Sequence, residues 1–203
     1  MKKCKYAVVS VDMHRGHLDP SIATLPLLPA ERCDRVIENT AKFFNEIREK
    51  GVPIIHVVTM YRDGDEIISN PHWGENNADP NAKRKGIAKH NIIGEPTTQI
   101  IPELYKDGDY IVNTKKRYSC FMYTELEFLL NQIGAEVVIL TGINTSSCVL
   151  CTAFEATNKD YSVYVVEDCV DSMDGPEFHD AAVMLINRII GKVVKADEML
   201  KLV

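Results

Sequence analysis

The chain lacks most of the features that would place it in a special class. No apolar run approaches the twenty or so residues needed to cross a bilayer. Met1-Lys2-Lys3-Cys4-Lys5 passes straight into Tyr6-Ala7-Val8-Val9-Ser10-Val11-Asp12, too short and too soon interrupted for a secretory signal. A cytoplasmic protein is expected. Positive charge is also scarce: 23 Lys and Arg stand against 29 Asp and Glu, a net charge of −6. Phosphate backbones and anionic lipids attract basic surfaces, so neither nucleic acid nor membrane is an expected partner. The one basic run, Lys83-Arg84-Lys85 with Lys89, reads as a solvated loop. No internal repeat or linker divides the chain. The six cysteines (Cys4, Cys33, Cys120, Cys148, Cys151, Cys169) are scattered along 203 residues, a length that needs no covalent staples, so free thiols are expected.

With 45% hydrophobic and 26% charged residues, the composition is that of an ordinary globular protein, and one domain over residues 1–203 is expected. Runs rich in Val and Ile recur at 6–11, 52–59, 110–114, 136–141 and 162–167, with a short sixth at 191–195. They are nearly continuous rather than alternating, as in parallel strands buried on both faces. Between them lie helical patterns. Residues 31–50 carry Val36, Ile37, Phe43, Phe44 and Ile47 at three-to-four spacing before Gly51; residues 123–133, stopped by Gly134, and 147–158 repeat the theme. The alternation predicts a doubly wound, mainly parallel α/β sheet of five or six strands with helices on both faces, a Rossmann-like three-layer arrangement. Residues 60–96 are long, polar and without clear periodicity, which predicts a functional lid or short helices hidden in it.

In open parallel sheets ligands bind beyond the carboxyl ends of the strands. Asp12 ends the first strand, Lys115 and Lys116 follow the 110–114 strand, and Cys148 follows the 136–141 strand. Successive residues of an extended segment point to opposite faces, so only one of the two lysines is expected to reach the thiol. Cys148 comes after Thr141-Gly142-Ile143-Asn144-Thr145-Ser146-Ser147, whose hydroxyls are good helix N-caps. A thiol at a helix N-terminus beside a lysine is expected to ionise more readily, and backbone N–H groups of the same turn could hold an oxyanion. Three other readings compete. Cys148 and Cys151 form a Cys-x-x-Cys pair, which would support thiol–disulfide exchange, with Cys151 otherwise a helix residue packed on the sheet. A non-catalytic scaffold binding a small ligand would need no special thiol. His14 and His17 could hold a metal, but they stand three apart in an apparent loop rather than four apart on a helix, so they read as loop histidines or substrate contacts.

These residues resemble the isochorismatase-like cysteine hydrolases, a family that includes nicotinamidases, N-carbamoylsarcosine amidase and ureidoacrylate amidohydrolase. The likeness runs through Val9-Ser10-Val11-Asp12-Met13, Lys115-Lys116-Arg117-Tyr118-Ser119-Cys120-Phe121, Thr141 to Val149, and Val165-Val166-Glu167-Asp168-Cys169. It implies Asp12, Lys115 and Cys148 as a catalytic triad, an oxyanion hole from the N–H groups of Asn144 and Cys148, and a cis peptide at Ile143–Asn144. The family spacing, with the lysine four residues before a serine, selects Lys115 because Ser119 follows at that distance. Isochorismatases proper lack the cysteine, so Cys148 implies amide, ureido or carbamoyl substrates. Nicotinamidases hold a metal through Asp-x-His, where this chain has Asp63-Gly64-Asp65 with His72 farther on, so nicotinamide is disfavoured and neither metal nor cofactor is expected. His14 replaces a frequent Gln and Cys120 a small residue. His14, His17, Trp73, Tyr118 and Ser119 are expected around a small-molecule substrate. The family is commonly oligomeric, which implies a homodimer or tetramer.

Overall fold

A computed structural model describes residues 3–25 and 28–203. Met1 and Lys2, the start of the N-terminal basic run, lie outside the described residues. The chain runs β1 (Tyr6–Val11), α1 (Arg15–Leu18), α2 (Ala30–Glu49), β2 (Ile54–Thr59), α3 (Gly64–Ile68), α4 (Pro71–Ala78), β3 (Tyr110–Lys115), α5 (Leu126–Ile133), β4 (Val137–Ile143), α6 (Leu150–Asn158), β5 (Ser162–Asp171), α7 (Pro176–Leu185), β6 (Lys192–Val194) and α8 (Ala196–Leu202). All six strands form one parallel sheet in the order β3-β2-β1-β4-β5-β6, so the expected doubly wound α/β architecture is found.

The central strands are apolar throughout because each alternate side chain meets a different helical layer. In β1, Ala7, Val9 and Val11 pack with Leu126, Leu130 and Ile133 of α5 and with Ala153 and Ala156 of α6. Val8 points the other way, into the layer formed by Phe43, Phe44 and Ile47 of α2 and Met199 and Leu200 of α8. A third, smaller cluster of Leu25, Tyr61, Ile67, Trp73, Ile87 and Met173 sits apart from both. Four of its residues, Tyr61, Ile67, Trp73 and Ile87, come from the 60–96 stretch, which is not an unstructured loop. Asp63 caps α3 by accepting from Glu66 N at 2.9 Å, and Asn70 caps α4 by accepting from Trp73 N at 3.2 Å. Helices of five and eight residues are too short to display a periodic apolar face, which is why their pattern is hard to see in the sequence.

Two expected helix starts move. The helix of the 123–133 pattern begins only at Leu126, because Tyr123 takes a left-handed φ of 60° and Thr124 Oγ1 accepts from Leu126 N. Before α6 the chain winds one π-turn, Thr145–Val149, rather than starting an α-helix near Ser147. Strand β5 runs on to Asp171, four residues past its expected end, with a register shift against β4.

Gly142 marks the closest approach of the two central strands. Its φ is 110°, and a Cβ there would lie 2.0 Å from the carbonyl oxygen of Val11. Gly142→Ala is expected to cost at least about 3 kcal/mol, since both the backbone strain and the clash are with main chain that cannot rotate away. Urea unfolding of the variant checks this, and a loss within about 0.5 kcal/mol would show that β1 and β4 can separate at this point.

Candidate active site

The order of the strands reverses between β1 and β4, and the crevice that opens there collects one residue from each of four elements. Asp12 follows β1 with a left-handed φ of 52°, a conformation that Asp tolerates better than most residues. Thr59 ends β2, Lys115 ends β3, and Cys148 lies in the π-turn after β4. Lys115 reaches inward from the edge of the sheet and is 1% exposed. Its ammonium donates to Asp12 Oδ2 at 2.7 Å, to Thr59 Oγ1 at 2.7 Å and to Cys148 Sγ at 3.4 Å, which uses all three protons. Asp12 Oδ1 in turn accepts from Thr59 N at 2.9 Å and Thr59 Oγ1 at 2.8 Å. Lys116 takes the opposite direction, donating to the carbonyl of Met60 and pairing with Glu66 at 3.2 Å.

Burial by itself would favour the uncharged form of each group. For Asp12 that push is outweighed by Lys115, with smaller help from His14 and His17, and the carboxyl titrates below its ordinary range. For Lys115 burial is likewise outweighed, first by Asp12, and its pKa rises. Cys148 behaves differently from the expectation of a ready thiolate. Burial, helped by the charge and hydrogen bonding of Asp12, pushes it up to about 12 against the opposing pull of Lys115. Asp12 and Lys115 thus favour each other's charged forms, whereas burial and Asp12 favour the neutral form of the thiol.

The turn that carries Cys148 is not capped by its hydroxyls. Thr145 Oγ1 pairs with His179, and Ser146 Oγ with Ser172 and Asp174, while the carbonyl of Asn144 accepts from Ser147 N and Val149 N, both at 3.1 Å. The Ile143–Asn144 peptide is cis. Asn144 Oδ1 accepts from Met173 N at 3.0 Å, tying the turn to the segment just past β5. Cys151, expected to pack on the sheet, is exposed, because it falls on the outer side of α6. It opens onto a surface pocket, whereas Cys148 lines an inner chamber.

That chamber is small, with a volume of ≈ 30 Å³. His17, Thr59, Lys115, Asn144 and Cys148 form its base and Tyr61, Trp73, Arg84 and Tyr118 much of its wall. Trp73 Nε1 donates to Tyr118 Oη at 3.1 Å, and the Arg117 guanidinium lies 5.0 Å over the Trp73 ring. Arg84 is not solvated as its basic surroundings suggest: it is mostly buried and donates to both oxygens of Asp174 at 3.1 Å. Trp73, Arg84 and Tyr118 line both this chamber and an outer pocket of ≈ 550 Å³. Of the residues expected at the substrate, His17, Trp73 and Tyr118 line the chamber, and His14 and Ser119 do not. Ser119 donates instead to Glu155. Thr59 and His90 were not singled out by sequence, and Arg84 was read only as part of a solvated basic run. A polar residue closing a Val-rich strand is the signal that could have found Thr59.

His14 and His17 are not loop histidines. They flank and enter α1 and are buried with His90, their ligand atoms lying within 4.8 Å of one another. The His14 and His17 rings stack at 4.3 Å and the His17 and His90 rings at 4.7 Å. Stacked rings turn faces, not lone pairs, towards each other, and a ligand set needs nitrogens aimed at one point. His14 Nε2 faces Asn91 Nδ2 at 2.8 Å and His90 Nδ1 faces Thr24 Oγ1 at 2.8 Å, while His14 Nδ1 is buried without a partner among the described residues. At the position of the Asp-x-His segment, Asp63 serves as a helix cap.

Known proteins resemble this chain along nearly its whole length. The isochorismatase domain model matches residues 6–198. Maleamate amidohydrolase of Pseudomonas putida is 24% identical over 198 residues, covering 97% of this chain and 86% of that protein. The crystal structure of N-carbamoylsarcosine amidase from Thermoplasma acidophilum is similar with a TM-score of 0.74 at 27% identity, over 96% of this chain and 98% of that one. A cysteine hydrolase from Pseudomonas syringae shares the fold with a TM-score of 0.82 at 21% identity, over 97% and 91% of the two chains. Among the described residues no helix is long and apolar enough to cross a membrane.

Thr59→Val keeps the shape of the side chain but leaves one Lys115 proton without an acceptor and takes a donor from Asp12. A loss of about 2 to 3 kcal/mol in urea unfolding at pH 7 is expected, with Thr59→Ser close to wild type. The acid limb of stability provides a second check. A carboxyl whose folded pKa is depressed contributes stability that is complete above its ordinary value of 3.8 and is lost as pH falls through the lower folded value. Asp12→Asn is expected to flatten that limb below pH 3.8, measured as unfolding free energy against pH.

Proposed function

The chain belongs to the isochorismatase family, and from that membership and the geometry around Cys148 we propose that it is a cysteine hydrolase cleaving the C–N bond of a small amide, ureido or carbamoyl substrate through a thioester. One observation carries this reading: a buried ammonium contacts a carboxylate and a thiol together at the β1/β4 crevice. The two relatives named for acting on C–N bonds, maleamate amidohydrolase and N-carbamoylsarcosine amidase, support it.

In the proposed cycle Asp12 accepts the Cys148 proton as sulfur attacks the carbonyl carbon. Lys115 stabilises the sulfur anion during this transfer, which matters because burial otherwise keeps the thiol protonated. The N–H groups of Asn144 and Cys148 receive the oxyanion. Collapse breaks the C–N bond, and Asp12 returns the proton to the departing nitrogen, releasing ammonia or an amine. A water then gives its proton to Asp12, attacks the thioester, and the expelled sulfur is reprotonated. Carboxylate, ammonium and thiol are restored, and no cofactor enters the balance. Trp73, Arg84 and Tyr118, which line both the chamber and the outer pocket, stand where a substrate would approach Cys148.

An ammonia-release assay over maleamate, N-carbamoylglycine, ureidoacrylate and simple primary amides tests the reading. Activity with at least one, abolished in Cys148→Ala, is expected. Lys115→Met keeps the apolar stem and removes the charge, for an expected loss of about 2 to 4 kcal/mol in transition-state stabilisation, or about 30- to 1000-fold in kcat/KM. Lys116→Met, on the opposite side of the strand end, is expected within about tenfold of wild type. The reverse ranking of the two lysines would show that the proposed triad has the wrong register.

A further inference from the structure

His17 is buried between two other histidine rings. Its ring is sandwiched between those of His14, at 4.3 Å with an interplanar angle of 28°, and His90, at 4.7 Å and 21°. Its Nδ1 lies 3.3 Å from the main-chain carbonyl oxygen of Asp12. A carbonyl oxygen can only accept, so Nδ1 carries a proton. The ring is also neutral. Burial is the main cause, and of the charged groups around it Asp12 pulls its pKa up while Lys115 and Arg84 push it down, leaving it at about 4. A neutral imidazole with a proton on Nδ1 has its lone pair on Nε2. Nε2 makes no hydrogen bond among the described residues, and His17 is part of the chamber lining beside Cys148 and Asn144.

The other groups of the chamber make this lone pair distinctive. Lys115, Arg84 and Arg117 are donors, and no carboxylate lines the chamber; Asp12, behind it, already takes three hydrogen bonds. The Tyr118 hydroxyl receives Trp73 Nε1, and His90 faces a hydroxyl that can donate or accept, so its tautomer is not set by its partner. An ester and an amide of the same acid present the same carbonyl to the thiol and to the oxyanion donors. They differ in whether the leaving atom carries a hydrogen.

We propose that His17 Nε2 accepts a hydrogen bond from the N–H of the scissile nitrogen, which makes His17 the residue that selects N–H-bearing amides, ureas and carbamoyl compounds over the corresponding esters. The proposal rests on the hydrolase reading above and adds a specificity residue to it. By holding the N–H, His17 also orients the nitrogen lone pair for the proton that the departing amine must receive.

The test compares kcat/KM for two matched pairs, maleamate against monomethyl maleate and N-carbamoylglycine against N-(methoxycarbonyl)glycine, in wild type, His17→Phe, His17→Leu and His17→Gln, with thermal melts to confirm folding. Phe keeps an aromatic ring for the stack and Leu serves where Phe is not accommodated; neither has an acceptor, whereas the Gln amide oxygen can replace Nε2. The amide-to-ester ratio is expected to fall by about tenfold or more in His17→Phe and His17→Leu and to return to within about threefold in His17→Gln, the scale of one hydrogen bond. An unchanged ratio in the folded Phe or Leu variant, including a fall of both activities together, would overturn the role of His17 while leaving the hydrolase reading intact. If wild type hydrolyses no member of either pair and fails the wider ammonia-release panel, the hydrolase reading falls and this proposal with it.

Discussion

A charged lysine that is 1% exposed imposes its requirements on everything around it. Removing an ammonium from water is costly unless an opposite charge and further acceptors replace the hydration shell. Lys115 meets that condition only because its three protons find acceptors after β1, at the end of β2 and in the turn after β4. The strand order sets these groups along one edge of the sheet, and the long Lys115 side chain and the turns after β1 and β4 bring them into contact. The same hydrogen bonds that make the buried charge tolerable place a carboxylate and a thiol on either side of it, so stability and proposed chemistry draw on one arrangement.

The thiol illustrates how burial and charge compete. Proximity to a lysine is a familiar route to a reactive cysteine, yet here Asp12 takes the lysine's charge at 2.7 Å while the sulfur is 3.4 Å away. The neighbouring carboxylate and the loss of solvent both oppose ionisation, and together they outweigh the ammonium. The arrangement fits a nucleophile that surrenders its proton during attack better than one that waits as a thiolate. It also separates Cys148 from Cys151: one is inside with the ion pair, the other on the outer side of the helix facing a different cavity, a poor geometry for shared redox work.

Around this centre the polar groups are divided by role. Three cations, Arg84, Lys115 and Arg117, line the chamber, and Arg84 is itself anchored by Asp174. The histidines behind α1 are kept neutral by burial and stacked on one another. A neutral imidazole beside an ion pair supplies directional hydrogen bonding without adding a charge that would compete with Asp12 for Lys115. The close approach of α1 that permits this depends on Gly16, where a Cβ would lie 2.2 Å from Asn91 Oδ1.

The parallel α/β fold, the five main strands and the α2, α5 and α6 helices were legible in the sequence, because burial on both faces writes itself locally as apolar runs and three-to-four spacing. So were Asp12, Lys115 and Cys148 at strand ends, together with the resemblance that joins them. Residues 60–96 were not legible, since helices of five and eight residues carry too few turns to show a face. Only the tertiary structure decided that Thr59 completes the lysine's shell, that His90 comes to stack on His17 from more than seventy residues away, that Arg84 leaves solvent for the chamber, and that the thiol sits in a setting that keeps its proton. Each of these depends on contacts between segments distant in sequence, which strand order and helix packing create and which no local pattern records.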